Sequence, residues 1–139
     1  MKIFRILTLT IILIFISCNS IMAAAETSSD LLKSRAKEYW EMKHKKNWAQ
    51  AYMFFCKKYQ EQTTKADFIK SANLPIFAFK IESAETSEDK KSAVITISFD
   101  TEMRGFQLKG AKVKEKWIYE GKNWYVCPEK GGFKRMFQK

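Results

Sequence analysis

Ala93-Val94-Ile95-Thr96-Ile97-Ser98-Phe99 decides the fold, because it can be read with a period of two and with no other. Ala93, Ile95, Ile97 and Phe99 fall on one face and Val94, Thr96 and Ser98 on the other, the pattern of a strand with one buried side. The same period extends upstream, where Phe77, Phe79 and Ile81 alternate with Ala78, Lys80 and Glu82, and the polar stretch Ser87–Lys91 supplies a turn between the two runs. Downstream, Gly105 and Gly110 bracket a short segment from Phe106 to Lys109. Val113, Glu115, Trp117 and Tyr119 then define a long strand. Glu120-Gly121-Lys122-Asn123 has hairpin-loop chemistry, and Trp124 to Cys127 forms the return strand, closed by Pro128.

The period changes upstream of Ile76. Ser28, Ser29 or Asp30 can cap a helix in which Leu32, Ala36, Tyr39 or Trp40, and Lys43 recur at spacings of three and four. Its apolar stripe stops by Met42, and Lys43-His44-Lys45-Lys46 forms a cationic end that suits a helix C-terminus. Asn47 predicts the cap of a second helix running from Trp48 to Tyr59. Thr64-Lys65-Ala66-Asp67 resembles a capping box opening a third, through Phe68, Ile69 and Ala72, ended by Asn73-Leu74-Pro75. Helices first and strands afterwards predict an α+β fold, with N-terminal helices packed on a curved antiparallel sheet of about four strands.

The first 25 residues read as a targeting segment rather than as part of that fold. Lys2 and Arg5 precede an apolar run from Ile6 to Ile16, which is shorter than the roughly 20 residues of a membrane span. Ala23-Ala24-Ala25 offers a cleavage site, leaving residues 26–139 as a single mature domain. An uncleaved N-terminal anchor is a competing reading. A further one is a lipoprotein signal ending at residue 17, since Phe15-Ile16-Ser17-Cys18 resembles a lipobox with Cys18 as the lipidated residue. These readings predict an exported chain, in the periplasm, secreted, or anchored through Cys18. In such an oxidising compartment Cys56 and Cys127 are either a disulfide or two buried thiols.

Composition narrows the class further. The 139 residues are 46% hydrophobic and 29% charged, with five Gly and two Pro, which excludes a disordered or fibrous chain. A single His and the two Cys of the mature domain fall short of a four-ligand zinc site, and nothing in the sequence indicates a cofactor.

Four runs in order carry a family resemblance: Asn47-Trp48-Ala49-Gln50-Ala51-Tyr52, the helix with Phe68, Ala93-Val94-Ile95-Thr96-Ile97, and Trp117-Ile118-Tyr119-Glu120-Gly121-Lys122-Asn123-Trp124-Tyr125-Val126. Over roughly residues 30–127 the chain resembles the nuclear transport factor 2-like, or cystatin-like cone, superfamily, and within it small exported bacterial members without an assigned activity. The resemblance implies helices folded against a bent sheet around an apolar cavity, which some members use for catalysis or for small-molecule binding.

Read residue by residue, the chemistry is sparse. His44 lies among lysines, Asp67 is accounted for by capping, and Asp100 sits at a strand end near Glu102. Glu115 is the one weak catalytic candidate, because its alternation groups it with Val113, Trp117 and Tyr119; the expectation is that this carboxylate faces outward or lies at the rim. Tyr39, Trp40, Tyr52, Phe55, Phe77, Phe79, Trp117, Tyr119 and Trp124 either line a ligand pocket or form core.

Charge gives another lead. The formal charge is +10, and Arg104–Lys139 alone holds ten basic residues against three acidic. Lys112, Lys114 and Lys116 alternate on one strand face, a basic stripe suited to an anionic envelope surface, a polyanion or an acidic envelope protein, or simply a solvated face. No nucleic-acid motif accompanies it, so nucleic acid is disfavoured. A small apolar ligand and a second copy of the chain complete the candidate partners. The sequence therefore predicts a non-catalytic exported binding or accessory domain, with a cone-fold enzyme of isomerase, dehydratase or hydrolase type, using an inward carboxylate, as the alternative.

Overall fold

A computed structural model describes residues 28–129; the N-terminal residues read as a targeting segment, with Cys18, and the basic tail after Glu129 lie outside the described residues. The chain forms helix α1 (Ser28–His44), a short helix α2 (Trp48–Ala51) continued by a 3-10 turn (Tyr52–Phe54), then α3 (Lys57–Gln62) and α4 (Lys65–Ser71). Strands β1 (Ile76–Thr86), β2 (Ser92–Met103), β3 (Phe106–Glu120) and β4 (Asn123–Val126) follow. They pair in sequence order as an antiparallel meander, with the helices packed on one face. The α+β arrangement expected from the change of period is the one observed.

Helix α1 buries the expected stripe, Leu32, Ala36, Tyr39, Trp40 and Lys43. It is closed by two bonds around Lys46, which takes a left-handed conformation at φ 56. Lys46 N donates to Lys43 O and Asn47 N to Met42 O, the paired closure of a Schellman motif. Asn47 then caps α2 by accepting from Gln50 N, and Thr64 caps α4 by accepting from Asp67 N.

The helix expected from Trp48 to Tyr59 is broken. Phe55 is extended and bridges Val126 in parallel, and Cys56 N donates to Val126 O at 3.0 Å. This detour brings Cys56 to Cys127, and the two form a disulfide with Cα atoms 5.2 Å apart. Helical periodicity carries no trace of it, because the pull comes from a strand 71 positions away in sequence.

Two sheet expectations are also corrected. The segment Phe106–Lys109 is the start of β3, which runs on through a bulge: Phe99 pairs with Ala111 and Thr101 with Leu108, leaving Asp100 opposite two residues. Gly110 supplies the positive φ of 64 there, and its N–H donates to the Asp100 carboxylate at 2.8 Å. The second correction concerns Phe77. A bulge between Ile76 and Ala78 turns Ile76 into the core and leaves Phe77 51% exposed. Arg104-Gly105 and Gly121-Lys122 close the β2–β3 and β3–β4 turns with two positive φ values each, the twist that two-residue hairpin loops require.

The core lies between the inner sheet face and the helices. Trp40, Trp117 and Trp124 are its largest fully buried side chains, with Leu32, Ile95, Ile97 and Thr101 around them. β4 covers β3 only from Trp117 to Glu120, with Cys127 N adding one bond to Lys116 O. Among the described residues, the rest of β3 is a sheet edge.

Candidate functional site

The face of β3 that carries Val113 and Trp117 is the inner one, so Glu115 points into the molecule, against the outward or rim position expected for it. The reason lies on the opposite layer. Helix α1 brings Lys43 over the same spot, and its Nζ stands 3.8 Å from Glu115 Oε1, with side-chain exposures of 7% and 10%. Trp40 Nε1 donates to the other oxygen, Oε2, at 3.1 Å. The ammonium also sits over the Trp40 ring at 3.5 Å and 5.0 Å from the centre of Tyr39, so its positive charge is met by two aromatic faces as well as by the carboxylate.

Burial dominates the titration of all three groups. It raises the Glu115 carboxyl above its ordinary range, opposed by the Lys43 charge and the Trp40 hydrogen bond. The Trp117 indole also favours the charged carboxylate, although its Nε1 does not reach hydrogen-bond geometry. Burial lowers Lys43, opposed by Glu115, and holds the Tyr39 phenol well above its usual value, reinforced by the Glu115 charge. Both carboxylate oxygens are thus answered from within the protein. The arrangement is a desolvated ion pair that locks α1 to β3; removing one member of such a pair leaves an uncompensated charge and costs roughly 3–5 kcal/mol.

Six of the nine aromatic candidates come together behind this pair. Tyr39 meets Trp40, Phe55 and Trp117 edge to face, Trp40 touches Phe79, and Tyr52 touches Phe55, all with centroids 5.9–6.5 Å apart. Trp124 packs on Tyr119, which stays half-exposed, and the exposed Phe77 is not part of the assembly. These rings form the packed interior.

His44 is exposed, as a helix-end residue should be, but its Nδ1 also bonds Ile76 O at 2.7 Å and ties the end of α1 to the start of β1. The Lys112, Lys114 and Lys116 stripe lies exposed on the outer face, opposite Ser98, Thr96 and Val94. Acid is interleaved with it. Glu82 accepts from Ser98 Oγ at 2.7 Å and lies 3.4 Å from Lys80, and these contacts, with the Lys112 charge, hold its carboxyl below the usual value. Lys116 reaches Glu129 at 4.0 Å. Lys112 and Lys114 lie on the uncovered stretch of β3, where charged side chains discourage another strand from adding to the edge.

The sequence places Lys43 on the α1 stripe, but its pairing with Glu115 was not read from it. Its signal was nevertheless present: Lys43 occupies an apolar-stripe position of α1 and Glu115 an apolar-face position of β3, two opposite charges each apparently misplaced. No cluster of three or more His, Cys, Asp or Glu with metal-site geometry occurs among the described residues. Among those residues no helix is long and apolar enough to cross a membrane. A scan against protein-family models finds no match to this chain, and a search of curated proteins finds none either.

Proposed function

We propose that the chain is an exported binding or accessory domain of a bacterial cell envelope, of the nuclear transport factor 2-like kind, without a catalytic role. The observation that carries this reading is the Cys56–Cys127 disulfide, a bond that forms and persists outside the reducing cytoplasm. It fits the N-terminal sequence, in which Lys2, Arg5 and the apolar run precede Ala23-Ala24-Ala25 and the alternative acceptor Cys18. Fractionation of the source cells followed by intact-mass analysis, with and without reductant and alkylation, tests it. The expected product lies outside the cytoplasm, begins at Glu26 or carries lipid on Cys18, and gains two alkyl groups only after reduction. A full-length cytoplasmic chain with both thiols free would overturn the reading.

The inward position of Glu115 favours a second reading, in which this carboxylate serves a cone-fold enzyme as general acid or base. Against it stands the occupation of both oxygens by Lys43 and Trp40. A proton-transfer group needs a free approach to its substrate. If Lys43→Met/Glu115→Leu folds as stably as the parent and retains its biological activity, Glu115 has no catalytic part.

A further inference from the structure

The β2–β3 hairpin continues past the layer that covers it. Thr101 is fully buried, held by a hydrogen bond from its Oγ1 to Pro75 O at 2.6 Å, but its cross-strand partner Leu108 is 39% exposed. Two pairs further out on the same face, Phe106 opposite Met103 is 74% exposed, the most exposed large apolar side chain among the described residues. Phe77, displaced by its bulge, lies at the same end, because Ile76 pairs with Thr101. Three large apolar side chains that contribute little to the core therefore lie at one end of the sheet.

Cations lie at the same end. Arg104 forms the turn, Lys109 follows Leu108, and the hydrogen bond from His44 to Ile76 O brings the end of α1 here, with exposed Lys45 and Lys46 directly after it. The acids of the hairpin at this end are Asp100, which accepts from Gly110 N, and Glu102, opposite Gln107. Apolar side chains projecting from a tight turn beside Lys and Arg have the composition of an interfacial membrane anchor: the rings enter the acyl boundary while the cations meet anionic headgroups. The charge complementarity selects a lipid surface of negative charge.

We propose that this pole docks on an anionic bilayer, with Phe106, Leu108 and Phe77 entering the interface and Lys45, Lys46, Arg104 and Lys109 facing its headgroups. The proposal names the surface used by the exported binding role and rests on that role for its biological setting. The vesicle test is independent of it: an exported chain that ignores vesicles defeats the docking alone, and a cytoplasmic chain that binds them defeats the exported role alone.

The test uses the full chain and vesicles of phosphatidylcholine with or without phosphatidylglycerol. The apolar N-terminal segment is common to parent and variants, so the hairpin is read as a difference between them. Phe106→Ser/Leu108→Ser is expected to weaken partitioning into anionic vesicles at least tenfold, and Arg104→Glu/Lys109→Glu to remove the preference for anionic over neutral lipid. Phe106→Trp adds an indole at the tip, and brominated acyl chains are expected to quench it beyond the signal of the native tryptophans. Equal partitioning of parent and both double variants, or no added quenching in Phe106→Trp, overturns the proposal. Concentration-dependent self-association that Phe106→Ser abolishes, without vesicle binding, would assign the pole to a second copy and overturns it equally. Unchanged circular dichroism and melting of the variants exclude misfolding as the cause.

Discussion

The two halves of the β2–β3 hairpin follow one alternation and meet opposite fates. From Ala93 to Phe99, and from Ala111 to Trp117, the inner face lies under α1, and even the charged Glu115 is buried there. Beyond the buried Thr101, from Glu102 to Met103 and from Phe106 to Leu108, the covering layer stops, and Phe106 on the same face stands in solvent. Burial is therefore set by what lies across from a strand position as much as by the residue placed in it. The covered half buries a charge because a complementary charge arrives from the helix, and the open half exposes apolar groups because nothing described here arrives.

The largest expected effect tests the covered half. Lys43→Ala should cost roughly 3–5 kcal/mol in urea denaturation, because Glu115 is left charged and buried, whereas Lys43→Met/Glu115→Leu should recover most of the loss. If single and double variants are equally destabilised, the pair is not a coupled unit. The pH dependence has a definite sign. A carboxyl whose folded-state value is raised binds its proton more tightly in the native state, so its contribution to stability is fully present below the unfolded carboxylate value and declines as pH rises through the raised one. With Lys43 removed, the opposing charge is gone and the decline above the ordinary carboxylate range should steepen relative to the parent. In the double variant this component should vanish, and a flat Lys43→Ala profile would contradict the assignment.

Opening the disulfide comes next. Cys56→Ser/Cys127→Ser should lose roughly 2–4 kcal/mol, seen as a lower midpoint in urea and an end to the reductant sensitivity of the parent. Smaller effects belong to the open half. Gly105→Ala forces a side chain into φ 81 and should cost roughly 1–2 kcal/mol in thermal or chemical denaturation, showing that the turn backbone matters even where its side chains do not. Phe106→Ser should change stability by less than about 0.5 kcal/mol, as surface substitutions do. A loss of several kcal/mol would mean that Phe106 is covered in the folded protein and would erase the contrast between the halves.

Much of this was legible from residues alone. The alternation at Ala93–Phe99 and the helix caps at Asn47 and Thr64 read directly, because each depends on neighbours within a few positions. Three features did not. The break at Phe55 is imposed by Val126, the bulge at Phe77 by pairing with β2, and the inward turn of Glu115 by Lys43 on a different layer. All are long-range contacts. Glu115 and Lys43, each considered singly, look like ordinary surface charges; only as a pair do two breaches of an apolar pattern account for one another.

The distance in sequence between Cys56 and Cys127 also sets an order of events. The ribosome delivers Cys56 long before Cys127, so the Cys56 thiol must wait for its partner while the whole sheet is synthesised. Its correct oxidation can follow only when β4 has docked beside Phe55, because that bridge places the two sulfurs together. A chain truncated before Cys127 would hold a permanently orphaned thiol, available for mixed disulfides with another molecule. The bond thus works as a completion check: a monomer in which neither Cys56 nor Cys127 is free is one whose β4 has docked.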